Sequence, residues 1–118
     1  MHKDWPKMAT ELNGAIKEVR LGTPDVMQAF SAMATAATKA GALDAKTKEL
    51  IALAISVAIR CDGCVAFHSK AAVKHGATRD EVMETMGMAI YMGAGPSVMY
   101  AAQALEAFDQ FSARAAAT

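Results

Sequence analysis

Long apolar runs and an excess of charge of either sign are both missing from this 118-residue sequence. The longest strongly apolar stretch, residues 51–59, is about half of the roughly 20 residues that a membrane-spanning helix needs. Twelve basic residues balance twelve acidic ones, and no basic stripe with interleaved aromatics is visible, which argues against a nucleic-acid partner. No apolar core follows the charges near the N-terminus, so we expect no signal peptide, no membrane partner and a cytoplasmic protein.

Aromatic residues are also scarce. They make up 6% of the chain although 53% of it is apolar, and alanine, the best helix former, supplies much of the apolar content. Alanine-rich helices approach closely but bury little area each, so a protein of this size gains from burying further surface against copies of itself. We therefore expect a homo-oligomer, in which the nine methionines fill irregular gaps in the core or the interfaces.

Helical periodicity runs through the sequence, and no segment alternates apolar and polar residues as a strand would. Thr23, Asp44 and the Thr78–Glu81 capping box mark helix starts, whereas Gly76 and the Gly93–Pro96 segment mark helix ends. The sequence thus predicts an all-α protein in which residues 1–118 form a single domain of about six helices. The predicted helices cover about residues 6–20, 24–39, 45–60, 61–75, 78–92 and 97–113.

Cysteine is limited to Cys61 and Cys64, and His68 follows one helical turn after the second. A pair with this spacing can cycle between dithiol and disulfide, and an imidazole at i+4 lies on the helix face of Cys64, where it can take the thiol proton. Cys61 lies at or just before a helix N-terminus, where unpaired N–H groups and the helix dipole favour a thiolate. The cluster predicts redox thiol chemistry, because such a pair in a reducing cytoplasm is seldom a permanent crosslink.

Glu49 is the leading candidate for a third group that orients His68 and balances its charge. It is an acid near the start of a mostly apolar helix, where burial without a partner is costly. In a simple antiparallel hairpin with its turn at residues 60–61, Glu49 lies about 6–7 Å further from the turn than His68, a gap that a bridging water would close. Spacing alone therefore leaves a direct contact open. The predicted catalytic residues are Glu49, Cys61, Cys64 and His68.

Together these residues resemble the Glu…Cys-x-x-Cys-x-x-x-His signature of AhpD-like alkylhydroperoxidases, which belong to the carboxymuconolactone decarboxylase family. The resemblance covers about two thirds of the chain: residues 43–76 look like the family core, and residues 81–96 resemble a small-protein branch of it. Gly63 is a departure, because the best-studied AhpD proteins have a histidine immediately before the second cysteine. The chain is also shorter than those proteins and corresponds to their core repeat.

The resemblance implies an all-helical fold, assembly as a trimer or hexamer, and reduction of organic hydroperoxides, with Glu49 and His68 as a proton relay to Cys64. One thiolate attacks the peroxide oxygen to give a sulfenic acid, the other cysteine condenses with it to a disulfide, and a dithiol or protein reductant restores the pair. The relay favours Cys64 as the attacking thiol and the helix dipole favours Cys61, so the order of attack is open. Because the cysteines carry the electrons, no organic cofactor or metal is required.

Other functions fit parts of the same sequence. A general thiol–disulfide oxidoreductase would use the same residues on protein substrates. A carboxymuconolactone decarboxylase-type lyase acts without redox cysteines, so the intact pair counts against it. A non-catalytic zinc module could use the two cysteines with His68 and Glu49, although a structural zinc site usually takes a second ligand pair elsewhere. A purely structural disulfide would close too short a loop to restrain the unfolded chain much.

Overall fold

The computed structural model describes residues 3–117, which form helices and short connections without any strand in that range. The all-α prediction is confirmed, and each element begins within a residue of a predicted start. None of the helices within residues 3–117 has the combined length and apolarity that a bilayer crossing demands. The elements are α1 (Trp5–Gly22), α2 (Pro24–Thr38), α3 (Ala45–Ala58), α4 (Asp62–Lys74) and α5 (Arg79–Ala117).

The predicted fifth and sixth helices are the two arms of α5, which bends at Ala94. Ala94 has a φ of 55° and a ψ of −143°, close to a backbone region that is nearly reserved for glycine, and Pro96 follows within the same bend. Gly93 is required beside it, because a Cβ at this position would collide with the side chain of Ser97. The predicted break is therefore a kink within one helical element rather than a loop between two helices.

Local capping explains where two of the helices begin. The Asp44 side chain accepts a backbone N–H from the first turn of α3 at 2.7 Å. Ahead of α5, Thr78 and Glu81 form a reciprocal capping box with hydrogen bonds of 2.8 and 3.1 Å. Thr23 occupies the predicted N-cap position of α2, but its hydroxyl donates back to a carbonyl of α1 at 2.9 Å and makes no capping hydrogen bond.

One apolar core forms where α3, α4 and α5 pack against one another, and α1 lies against α4 and α5. Fully buried side chains come from each of these elements: Trp5 in α1, Leu53 in α3, Val65 in α4 and Val82 in α5. Helix α2 contacts α1 and α3 but contains no buried residue. The core thus fixes the α3–α4 hairpin, whose turn carries the cysteine pair.

Candidate redox site

The turn between α3 and α4 places the cysteine pair at the start of α4. Arg60 has a φ of 58° and an exposed side chain, and it reverses the chain after α3. The Cys61 N–H then donates to the carbonyl of Ser56 at 3.1 Å, which ties the turn back onto α3. Cys61 itself has an extended backbone, with φ −107° and ψ 101°, as expected for the residue that precedes a helix.

Cys61 caps α4 through its sulfur atom. The Cys64 N–H donates to Cys61 Sγ at 3.1 Å, and the two cysteines, both half-buried, are joined by a disulfide. The prediction that Cys61 lies at the N-terminus of the fourth helix is confirmed. In the reduced protein, the unpaired N–H groups and the positive end of the helix dipole at this position would favour a thiolate.

Glu49 and His68 hydrogen-bond directly across the α3–α4 hairpin, with 2.7 Å between Glu49 Oε1 and His68 Nδ1. When the Glu49 carboxyl is ionised it only accepts, so the proton of a neutral His68 ring then lies on Nδ1 and Nε2 is an acceptor. Glu49 is only 6% exposed, whereas the His68 side chain is 34% exposed. The pair therefore connects a buried acid to an imidazole that reaches the surface, and no bridging water is needed.

The same helix carries the base and the second cysteine. Because α4 is helical from Cys64 to His68, the four-residue spacing places both side chains on one face. A neutral imidazole held in one tautomer by a buried carboxylate is suited to accept and return a proton. The site thus combines a redox cysteine pair, a helix N-terminus and an oriented base.

Asp62 lies between the two cysteines and takes part in a network that reaches α5 and the segment before α1. Lys3 Nζ lies 2.5 Å from Asp62 Oδ2 and also donates to Gln103 Oε1 at 2.7 Å, and the Tyr100 hydroxyl donates to Asp62 Oδ1 at 2.8 Å. The hydrogen bond from Lys3, assisted by that from Tyr100, lowers the pKa of Asp62. In turn, the hydrogen bond to Asp62 raises the pKa of Tyr100. The network compensates a negative charge next to the place where a thiolate must form.

The partners of Asp62 were not predicted from the sequence. Lys3 is separated from Asp62 by 59 positions and Tyr100 by 38, so no local spacing links them. The only local signal is the position of Asp62 itself, since an acid between two thiols at a helix N-terminus opposes thiolate formation unless its charge is compensated.

Gly63 is packed against α1. A Cβ at this position would lie 3.1 Å from Leu12 Cδ1, which is closer than ordinary van der Waals contact. The histidine that AhpD proteins have at the corresponding place would therefore require Leu12 to move. The departure at Gly63 is consistent with close packing of α1 on the redox helix.

Within residues 3–117, no group of three or more His, Cys, Asp or Glu side chains is arranged to hold a metal ion. The residues considered as zinc ligands are engaged with one another instead: the two sulfur atoms form a disulfide, and Glu49 is hydrogen-bonded to His68.

Comparison with known proteins places the four predicted residues inside a matched region. Residues 24–107 match the carboxymuconolactone decarboxylase family. An uncharacterized protein of Cupriavidus necator is 42% identical over 96% of this chain and 100% of its own length. The crystal structure of an apo carboxymuconolactone decarboxylase family protein from Legionella pneumophila is 54% identical, covers 92% of this chain and 96% of that chain, and superposes with a TM-score of 0.89. A family protein of Thermotoga maritima, described as a candidate participant in an antioxidative response, is 30% identical with a TM-score of 0.74, covering 92% of this chain and 89% of that one.

Proposed function

The chain belongs to the carboxymuconolactone decarboxylase family, and from this we propose that it is a thiol-dependent alkylhydroperoxidase that reduces organic hydroperoxides at Cys61 and Cys64. The observation that carries the proposal is the direct hydrogen bond between Glu49 and His68 beside a cysteine pair at a helix N-terminus. A merely structural disulfide has no use for a buried acid that orients an imidazole on the helix face of its second cysteine. A proton-coupled redox reaction needs that base.

In the proposed reaction, the N-terminus of α4 stabilises negative charge on Cys61, and His68 accepts the proton of Cys64 at Nε2. One thiolate attacks a peroxide oxygen, the O–O bond breaks, and the leaving alkoxide is protonated to the alcohol. The resulting sulfenic acid condenses with the second thiol, which releases water and forms the disulfide. One hydroperoxide and two thiols thus yield one alcohol, one water and one disulfide. A dithiol or a protein reductant then returns two electrons to the pair.

We also propose that the protein works in the cytoplasm as a homo-oligomer, a trimer or a hexamer. Ile51 and Ile55 of α3 and Ile59, the residue that follows this helix, recur at four-residue spacing and are 43%, 53% and 63% exposed. Helix α2 adds further exposed apolar side chains, including Phe30. A concentration of large exposed apolar side chains favours an interface, because such surface is costly to leave in water. Because Ile59 lies two positions before Cys61, a subunit contact along this row would border the redox site.

Stopped-flow oxidation of the reduced protein by tert-butyl hydroperoxide tests the peroxidase proposal. The wild type should lose two thiols per chain, and His68→Ala should slow this loss by about 100-fold, the usual contribution of a general base. His75→Ala is the matched control, because His75 is an exposed histidine at the end of the same helix. A sulfenic acid trapped in only one of Cys61→Ser and Cys64→Ser would identify the attacking cysteine.

A wild-type rate no higher than that of free dithiothreitol would contradict peroxidase activity. Exchange of the reduced pair with a protein disulfide, without peroxide turnover, would then assign the same four residues to a general thiol–disulfide oxidoreductase.

A further inference from the structure

A cleft of about 490 Å³ lies outside the redox site, between the start of α1, the outer face of α4 and the end of α5. Its floor is apolar and includes Phe67 of α4 and Phe111 of α5, of which Phe111 is almost fully buried. Its volume lies within the range of roughly 300–1,000 Å³ that is typical of small-molecule sites. The cleft therefore has the size and the lining of a ligand site.

Three cationic side chains surround this apolar floor: Lys70 and Lys74 of α4 and Arg114 of α5. All three are exposed residues. The ion pairs within residues 3–117 involve other cations, so no carboxylate of that part of the chain neutralises these three. In a chain whose formal charges balance overall, these three cations form a concentrated positive rim on an apolar cleft.

We propose that this cleft binds a single-chain carboxylate amphiphile, of the fatty-acid type, in a site separate from the cysteine pair. The apolar chain would lie against Phe67 and Phe111, where its burial supplies most of the affinity. The carboxylate would lie at the rim among Lys70, Lys74 and Arg114, whose donors match its two oxygens. Charge complementarity selects an anionic head group, and the apolar floor selects a hydrocarbon body over a small polar anion. The binding does not depend on the redox chemistry proposed above.

Titration of the oxidised full chain with decanoate tests the site, with decanol as the uncharged probe, each kept below its aggregation limit. The fluorescence of Trp5, the only tryptophan, is a built-in reporter: Trp5 is fully buried and adjoins Pro6, which lines the cleft. Calorimetry gives the stoichiometry. Decanoate should bind saturably, once per chain, more tightly than decanol and less tightly at high salt, because exposed cations are screened.

Two variants separate the contribution of the positive charges from that of the cleft volume. Lys70→Gln combined with Lys74→Gln should weaken decanoate binding about fivefold, as expected for two exposed charge contacts, and should leave decanol binding unchanged. The matched control removes two exposed cations elsewhere, by Lys17→Gln with Lys39→Gln, and should bind as wild type. Ala71→Phe fills the cleft without changing its charge and should abolish binding of both probes.

Non-saturating decanoate binding would overturn the proposal, as would equal affinity for decanoate and decanol, or equal weakening in the control double variant. Failure of decanoate to bind, together with a change in sedimentation on Ala71→Phe, would overturn it in favour of a second copy of the chain as the occupant. Circular dichroism of each variant verifies folding, and the Lys70/Lys74 pair keeps the test decisive if Ala71→Phe does not fold.

Discussion

The Glu49–His68 hydrogen bond should be measurable as a coupling free energy, and the burial of its partners sets the expected values. Removing the imidazole by His68→Ala leaves the Glu49 carboxylate 6% exposed and without its partner, so we expect a loss of about 2 kcal/mol in the free energy of unfolding. This is below the range of about 3–5 kcal/mol for a fully buried pair, because His68 is one-third exposed and water can replace it.

The substitution Glu49→Met keeps the length of the side chain but removes the acceptor. It leaves behind an imidazole that solvent can reach, so its cost should be smaller than that of His68→Ala. In the Glu49→Met background, His68→Ala should destabilise the protein much less, which corresponds to a coupling of about 1–2 kcal/mol.

Urea unfolding of the oxidised protein, followed by circular dichroism, measures this cycle. Protein concentration must be held constant, since association would add to the apparent stability. His75→Ala in the same two backgrounds is the additive control. A coupling below about 0.5 kcal/mol, the usual scatter of independent sites, would refute the assignment of Glu49 as the partner that holds His68. The reduced protein supplies a second readout, because alkylation of its thiols should slow in both single variants and slow no further in the double variant.

Three further predictions concern the kink and the Asp62 network. Ala94→Gly should raise the free energy of unfolding by about 1 kcal/mol, because it relieves a positive φ. Gly93→Ala should lower the free energy of unfolding by about 1–3 kcal/mol, because the new Cβ clashes with Ser97. Thermal unfolding of both variants measures these changes. The lowered pKa of Asp62 gives stability that is present above about pH 3.9 and lost as pH falls through the lower folded-state value. Lys3→Met should therefore cost about 0.5 kcal/mol more at neutral pH than near pH 2, where the hydrogen bond of Lys3 to Gln103 persists but the ion pair with Asp62 weakens. An equal cost at both pH values would contradict this. The phenol of Tyr100, whose pKa is raised by Asp62, should titrate at lower pH in Asp62→Asn, as followed by near-ultraviolet absorbance.

Helix starts were predictable where a short-range signal dictates them. Asp44 and the Thr78–Glu81 box each cap a helix through side chains within three residues of the N–H groups that they satisfy, so the sequence contains the whole interaction. Thr23 stands at the predicted N-cap of α2, but its hydroxyl donates to the carbonyl of Val19 in the preceding turn instead of accepting an N–H of α2. A single threonine is therefore weaker evidence for a capping hydrogen bond than a reciprocal capping pair is.

The sequence predicted Glu49 as a candidate partner of His68, but it did not predict that the two side chains hydrogen-bond directly. Counted from the observed helix ends, Glu49 lies nine positions before Ala58 and His68 lies six positions after Asp62. The difference of three positions is an axial offset of about 4.5 Å, less than the 6–7 Å obtained when both helices are extended to the turn. A long carboxylate side chain and an imidazole together span this distance. The extent of the non-helical turn at residues 59–61 decided the contact.

The Lys3–Asp62–Tyr100 network depends on tertiary packing that no local pattern encodes. Lys3 reaches Asp62 only because α1 packs against α4 and α5, and the same packing brings α5 close enough for Tyr100 to donate. The sequence also did not predict that α2 contains no buried residue, since this helix has the apolar content of an ordinary core helix. The residues that surround a site are thus less predictable than the residues that compose it.

The sulfur cap of α4 couples the oxidation state of the cysteines to the order of the helix. Cys61 Sγ accepts the Cys64 N–H, so thiol, thiolate and disulfide are three different caps on one helix. The thiolate is the strongest acceptor of the three, and it should hold the first turn most firmly. By reciprocity, any contact that tightens this turn favours the charged, reduced form by the same free energy. Hydrogen exchange of the Cys64 amide should then be slower when Cys61 is a thiolate, so the exchange rate would report the charge on its sulfur atom.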